Sequence, residues 1–420
     1  MTSTSPTVSN STPQTHPKRV IYSLFIANAI SMTGNQLALL AIPWFVLATT
    51  GSAAQTGITA FFTLLPTVLA TFLGGAFIDR IGFKPASIIA DLASGVTVLL
   101  IPVLFVAGWL PFWLLQVLVF LGALLDAPGV TARDALLPEL AAAAEMPLER
   151  IASLNQIVER SSRLLGAPAA GFLIALVSAQ NVLYLDAATF AVSALLVWFI
   201  VPNIKIDRPA DETGSSPGYL TDLQAGLRYV RQDSLILTIV GVVLITNFLD
   251  AALSSVIYPV FVREVYGSAI GLGLIFGVSG GGAVIGALVY SAVGHRYSAS
   301  KVYIWSFIVV ALARIPLIFL PPLWIVLTTA AIVGLAAGAL NPIMSAVSYS
   351  RIPSAMRARV LGVIRSGAFM AMPLGVLLAG YALDGLGLRQ TLIIVLACYL
   401  LTTVSLLFNR QLRAMDADKV

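Results

Sequence analysis

The chain has 420 residues, of which 58% are hydrophobic and only 10% charged, with a formal net charge of +5 and a mean hydropathy of +0.94. A soluble domain carries about 25% charged residues, so the polar side chains here are too few to wet a soluble surface, and lipid must be the solvent for most of it. The single cysteine, Cys398, excludes a disulfide framework or thiolate cluster, and the two histidines, His16 and His295, lie outside the apolar runs, which excludes an intramembrane imidazole relay.

In chain order, residues 1–19 form a Ser/Thr/Pro-rich tail ending in Lys18 and Arg19. It buries too little apolar surface to fold and lacks the short apolar core of a removable signal peptide. Twelve spans are then predicted, over 20–48, 53–78, 85–107, 110–131, 151–178, 181–201, 235–262, 269–294, 301–320, 323–348, 357–382 and 390–409. Each is long enough to cross a hydrocarbon core that takes about 20 apolar residues. The longest polar interruption, 202–234, divides them into bundles over 20–201 and 235–410, followed by a cytoplasmic tail over 411–420. Counted against these spans, Lys84, Arg133, Arg150, Arg228, Arg231, Arg296, Lys301, Arg351, Arg357 and Arg410 fall on the side of the N-terminus, whereas only Arg263 and Arg389 fall opposite. The positive-inside rule then makes both termini, and the 202–234 linker, cytoplasmic. The net charge of +5 thus reads as orientation, and no nucleic-acid partner is expected.

The halves echo each other. Pro111-Phe112-Trp113 and Pro322-Leu323-Trp324 open the fourth and tenth spans; Asp126-Ala127-Pro128 resembles Asn341-Pro342; Arg160 precedes Pro168 by the spacing that separates Arg365 from Pro373. Two duplicated six-helix halves joined by a polar linker form a transporter architecture. The fold class expected is therefore an all-α membrane protein of twelve transmembrane helices in two pseudo-symmetric six-helix bundles.

After the second span stands Gly75-Ala76-Phe77-Ile78-Asp79-Arg80-Ile81-Gly82-Phe83-Lys84. It resembles the Gly-x3-Asp-Arg-x-Gly-x-basic signature of the major facilitator superfamily, in the cytoplasmic loop where that superfamily carries it. The resemblance implies a conformational latch at Gly75, Asp79, Arg80, Gly82 and Lys84 that stabilises one access state through contacts with the opposite half. The second-half equivalent, around His295-Arg296, has lost the acid. Gly34-Asn35-Gln36-Leu37, Ile42-Pro43-Trp44, the Leu136-Leu137-Pro138-Glu139 turn and Arg163 through Gly171 resemble the branch containing macrolide-efflux proteins and enterobactin exporters. The last of these is similar to an antiporter motif, with Ala167 where glycine is usual.

Ionisable groups at mid-membrane cost about 2.5–3.5 kcal/mol on insertion scales and should face protein or a water-filled cavity. Asp250, mid-way along the seventh span, is the first proton-coupling candidate, with pairing to an arginine of a neighbouring helix as the alternative. Glu159 and Asp126 follow. Glu159 is spaced to pair with Arg163 on one helical face, and Asp126 with Arg133 or Arg163. Asp91 needs a partner from another helix, Arg314 is expected to snorkel outward, and Asp186 to sit near an outer end. By the resemblance, the first, fourth, seventh and tenth spans line the central cavity, which makes Asn35, Gln36, Asn247, Asp250, Tyr258 and Asn341 candidates for substrate contact. The glycines of the eighth span, among them Gly273, Gly277, Gly282 and Gly286, predict close helix packing.

No phosphate-binding loop, metal cluster or nucleophile–base set is legible, so no cofactor, metal or enzymatic activity is expected. The expectation is a monomeric secondary transporter of a bacterial inner membrane, with a small-molecule substrate, the proton as coupling ion and the bilayer as its partners. It would export amphiphilic drug-, macrolide- or siderophore-like compounds by alternating access. A proton-coupled metabolite importer and a lipid flippase are the alternatives.

Overall fold

The computed structural model describes residues 17–201 and 219–416, without the side chains of residues 70–80 and a few others. The tail before Pro17, the linker stretch 202–218 and residues 417–420 lie outside the described residues. In hydrocarbon every backbone polar group must find its partner within the chain, which leaves helices as the only open-ended solution, and the described residues fold accordingly. The first six helices are α1 (Pro17–Thr50), α2 (Ala53–Ile81), α3 (Phe83–Val106), α4 (Phe112–Ala143), α5 (Leu148–Val177) and α6 (Ala179–Ile200). A short amphipathic helix, α7 (Tyr219–Gln232), then leads into α8 (Ser234–Ala252), a π-helical turn (Leu253–Ile257) and α9 (Tyr258–Tyr266), which together make one pass. The remaining passes are α10 (Ile270–Val293); α11 (Ala299–Ala313) with a 3₁₀ extension; α12 (Leu323–Gly338) with α13 (Leu340–Arg351); α14 (Arg357–Met370) with α15 (Met372–Leu386); and α16 (Leu388–Phe408).

Ten helical stretches among the described residues are long and apolar enough to cross a bilayer. The two other expected spans coincide with α2, whose Ala53–Leu69 part is a shorter apolar helix, and α5, where Glu149, Arg150, Glu159, Arg160 and Arg163 interrupt the apolar pattern. Proline positions explain the broken passes. Pro373 stands at the start of α15, and Asn341-Pro342 opens α13 after the break at Ala339, because a proline inside a helix removes a hydrogen bond and clashes with the preceding turn.

The fourth span departs from expectation. Predicted to stop at 131 and turn at Leu136–Glu139, it continues as α4 to Ala143. Arg133, a loop cation by the predicted span boundaries, has a fully buried side chain. Leu136, Leu137 and Leu140 beyond it pack into a buried cluster with Ile21, Leu24 and Ile151, so burial of this second apolar stretch carries the helix past Pro138.

Within the first half, α1 packs on α5 and α6, and α3 on α4 and α6; in the second, α10 packs on α12, and α15 on α8. The halves meet along two seams, α2 with α15 and α5 with α10. Both seams are glycine on glycine. A Cβ placed on Gly57 would fall 2.9 Å from the Cα of Gly380, and one on Gly171 would fall 2.7 Å from the Cα of Gly273. Further along α10, Gly282 and Gly286 face the backbone of α12 in the same way. The predicted close packing of this helix is thus realised on two faces. Both seams lie toward the end of the molecule opposite α7, hereafter the far end; the end holding α7 is the terminal end.

Candidate functional site

Among the described residues, two cavities hold acids singled out above. The larger, about 530 Å³, opens among α1, α2, α3, α4 and α6, with Ser255 of the π-helical turn reaching it from the second half. Leu39, Ile42, Leu64, Val98, Leu118 and Phe190 give it an apolar wall. Asn35, Gln36, Asp126 and Asp186 interrupt that wall, together with the hydroxyl-bearing Thr63, Thr67, Thr131 and Ser255. Among the described residues, no Lys, Arg or His lines it.

The acids are held in an unusual way. Asn35 Nδ2 donates to Asp126 Oδ2 at 3.0 Å, while Asp126 Oδ1 is buried and has no hydrogen-bond partner among the described residues. The expected bridges from Asp126 do not form. Arg133 is taken by Asp91, its Nη1 lying 2.7 and 2.9 Å from the two carboxylate oxygens, and Arg163 pairs with Glu159. Asp186, expected near an outer end, is fully buried and lies within electrostatic reach of Asp126. Its Oδ2 also lacks a partner. Gly34 makes this approach possible, since a Cβ there would sit 2.5 Å from Asp186 Oδ1 and 2.0 Å from Thr189 Oγ1. Sequence reasoning underrated Asp186; the available signal was an acid two turns inside an otherwise apolar 22-residue helix.

The smaller cavity, about 200 Å³, lies in the second half and is lined by Asn247, Asp250, Tyr258 and Arg314. Arg314 Nη1 donates to Asp250 Oδ1 at 2.7 Å, Tyr399 OH donates to Asp250 Oδ2 at 3.5 Å, and the guanidinium stacks over the Tyr399 ring at 4.8 Å. Arg314 therefore points inward, against the expectation of snorkelling, because the carboxylate and aromatic face offset its desolvation. Asp250 is the paired acid of the alternative reading. Its side chain keeps 40% exposure, against 8% for Arg314, so it faces the cavity while the arginine backs it. The π-helical turn begins three residues after Asp250, and such turns recur at functional sites in helices. Removing one partner of this pair is expected to cost more than removing both. Asp250→Asn combined with Arg314→Gln should melt above Arg314→Gln alone, and a double-mutant cycle on unfolding should give a coupling of about 0.5–3 kcal/mol; additive effects would refute the pairing.

The remaining predicted residues fall in different places. Asn247 Nδ2 donates to the Ala368 carbonyl at 2.9 Å. Asn341 is exposed in the first turn of α13 and lines neither cavity. Glu159 accepts from Arg163 Nη2 at 2.6 Å on an exposed face, the local pairing that their spacing predicts. Gly75, Asp79 and Arg80 lie in the last turns of α2, with side chains outside the described residues. Gly82 adopts φ +89° between α2 and α3, a conformation that favours glycine. Lys84 Nζ donates to the carbonyls of Trp198 and Val201, at 2.9 and 2.5 Å. It thereby satisfies orphan carbonyls at the C-terminal end of α6 within its own half.

The family model described as "Transmembrane secretion effector" matches residues 11–420. The chain belongs to this family of the major facilitator superfamily. It is a multi-pass membrane transporter and not an enzyme. A multidrug efflux pump Tap of Mycolicibacterium fortuitum is 31% identical over 406 residues, covering 96% of this chain and 98% of the pump. Macrolide efflux protein A of Streptococcus pyogenes is 22% identical, covering 89% and 91%. Among solved structures, the nucleoside transporter NupG superposes with a TM-score of 0.75 at 12% identity, covering 93% of this chain and 98% of NupG. An inward-facing, unoccupied bacterial homologue of the human lysosomal transporter Spinster superposes with a TM-score of 0.72 at 14% identity, covering 98% and 99%. These structural likenesses establish the major facilitator fold.

Proposed function

We propose that this transporter exports amphiphilic, cationic small molecules across a bacterial inner membrane by alternating access, in exchange for protons. The observation that carries the reading is the larger cavity, an apolar chamber of about 530 Å³ with two carboxyl groups, Asp126 and Asp186, and no basic side chain among the described residues that line it. An ionised carboxylate without a cationic partner is costly in this setting. Each acid therefore holds either a proton or the positive charge of a substrate, and competition between the two for one site is exchange. The similarity to pumps named for multidrug and macrolide efflux supports the outward direction. The bias of Lys and Arg toward the terminal end supports a cytoplasmic location for that end.

Within this reading Asp126, with Asp186 beside it, takes the coupling role ahead of Asp250, whose charge is balanced by Arg314, and of Glu159, which is paired on an exposed face. The monomer remains the working unit, with each half contributing to one central pathway. The test uses proteoliposomes and a fluorescent lipophilic amine. An imposed proton gradient should drive its accumulation, and adding it to the detergent-solubilised protein in weak buffer should release protons. Accumulation indifferent to the gradient, or equal transport of an uncharged analogue, would overturn the proposal.

A further inference from the structure

The latch motif at the end of α2 has a second copy that faces the other side. Gly75-x3-Asp79-x2-Gly82 recurs as Gly380-x3-Asp384-x2-Gly387, at the end of α15, the helix that packs against α2 across the interface between halves. Each aspartate stands two residues before the last residue of its helix, Ile81 or Leu386, and each motif closes on a glycine with positive φ, +89° at Gly82 and +84° at Gly387. In the second copy every element of the motif has a visible task. Gly380 lets the helices touch: a Cβ on it would meet the Ala53 carbonyl oxygen at 2.7 Å. Asp384 caps α2. Its Oδ1 accepts from the Ala53 N–H at 2.8 Å, and its Oδ2 accepts from the Ser52 hydroxyl at 2.6 Å and the Ala54 N–H at 3.1 Å.

The first N–H groups of a helix have no partner within it and carry the positive end of its dipole. An acid from the opposite half therefore meets both a hydrogen-bonding and an electrostatic need. Arg263, also from the second half, donates to the Leu47 carbonyl in the last turn of α1, where the dipole has the opposite sign. Acid on a helix start and base on a helix end thus tie the halves together at the far end.

We infer that Asp384 is a gating residue of the transport cycle, holding the far end shut through the start of α2, and that α15 and α2 carry reciprocal copies of one latch for the two sides of the membrane. By this logic the far end and the terminal end are not held shut at the same time. The inference concerns access and does not depend on which substrate is carried.

The test measures access directly. In a Cys398→Ser background, spin labels at Trp109→Cys and Phe319→Cys, exposed positions of the two halves at the far end, report opening there. Asp384→Ala should shift the population toward far-side-open by about five- to tenfold, the size of a lost cap with its charge. Asp384→Asn, which keeps a capping oxygen, should recover part of the shift. A membrane-impermeant maleimide applied from the far side should label Ala38→Cys, in the larger cavity, faster by a similar factor in Asp384→Ala. Ser52→Ala leaves α15 untouched and should move both readouts less but in the same direction, which keeps the question open to test if Asp384→Ala does not fold. Asp79→Asn should move the labels the opposite way. Unchanged distances and labelling in the Asp384 and Ser52 variants, or shifts of the same sign for Asp384 and Asp79, would overturn the inference.

Discussion

Arg133→Met is expected to destabilise the protein by about 3–5 kcal/mol, because it strands a buried carboxylate. Arg133 and Asp91 are both fully buried. The Ser193 hydroxyl adds a hydrogen bond to Asp91 Oδ2 at 2.7 Å, and Arg133 Nη1 reaches the Ser87 hydroxyl at 3.3 Å. Four polar groups from α3, α4 and α6 thus converge on one site, and that site pins three of the five helices that frame the larger cavity. Replacing both charges should hurt far less. Asp91→Leu with Arg133→Met removes the desolvation cost along with the attraction, and such exchanges are often neutral. Denaturation in mixed micelles measures both; a single variant no less stable than the double would contradict this account. Arg133 Nε and Nη2 have no partner among the described residues, which favours the double variant further.

Asp126→Asn is expected to abolish uphill transport driven by a proton gradient, lowering it at least tenfold, while the protein keeps its fold. An asparagine at this position still offers a carbonyl to Asn35, so the α1–α4 contact survives; what disappears is the exchangeable proton and the negative charge. Acid pH should inhibit binding of a cationic probe to the wild type, since a proton on the carboxyl removes the charge that attracts the probe. In Asp126→Asn that dependence should flatten. Asp186→Asn should produce the same change in weaker form if the two acids share one site. Equilibrium binding across pH, beside gradient-driven uptake in vesicles, separates these effects. Retention of both uphill transport and the full pH dependence in Asp126→Asn would remove Asp126 from the coupling role.

What the sequence made legible follows from the range of the interactions. The apolar runs are local, so most helices lie where expected, and Glu159–Arg163, four residues apart, pairs as spacing dictates. Asp91 with Arg133, Asp250 with Arg314, and Asp384 with Ser52 are separated by 42, 64 and 332 residues, and no periodicity reports on such partners. Reading a charge as a loop marker misplaces Arg133, because a buried counter-charge lets it sit inside a helix. A charge in an apolar span suggests outward snorkelling, which misplaces Arg314, because its helix turns one face inward to Asp250. The larger cavity escaped for a related reason: the motifs identify helices that approach it, but Asp186 enters from α6, at the point where Gly34 has no side chain to keep it out.

The π-helical turn Leu253–Ile257 decides which residues of its pass share a wall. Asp250 and Tyr258 are eight apart, and in an uninterrupted α-helix of 3.6 residues per turn they would point about 80° away from each other. A π turn absorbs one extra residue, which brings their separation to about 20°, and both line the smaller cavity. The pass therefore carries one residue more than its facing pattern requires. Deleting one residue there, Ser254 for instance, restores a plain helix and leaves Asp250 and Tyr258 aligned, whereas a deletion one turn earlier rotates Asp250 out of register with the residues before it. That spare residue lets the chain shorten between Asp250 and Tyr258 without turning either one away from the wall they share.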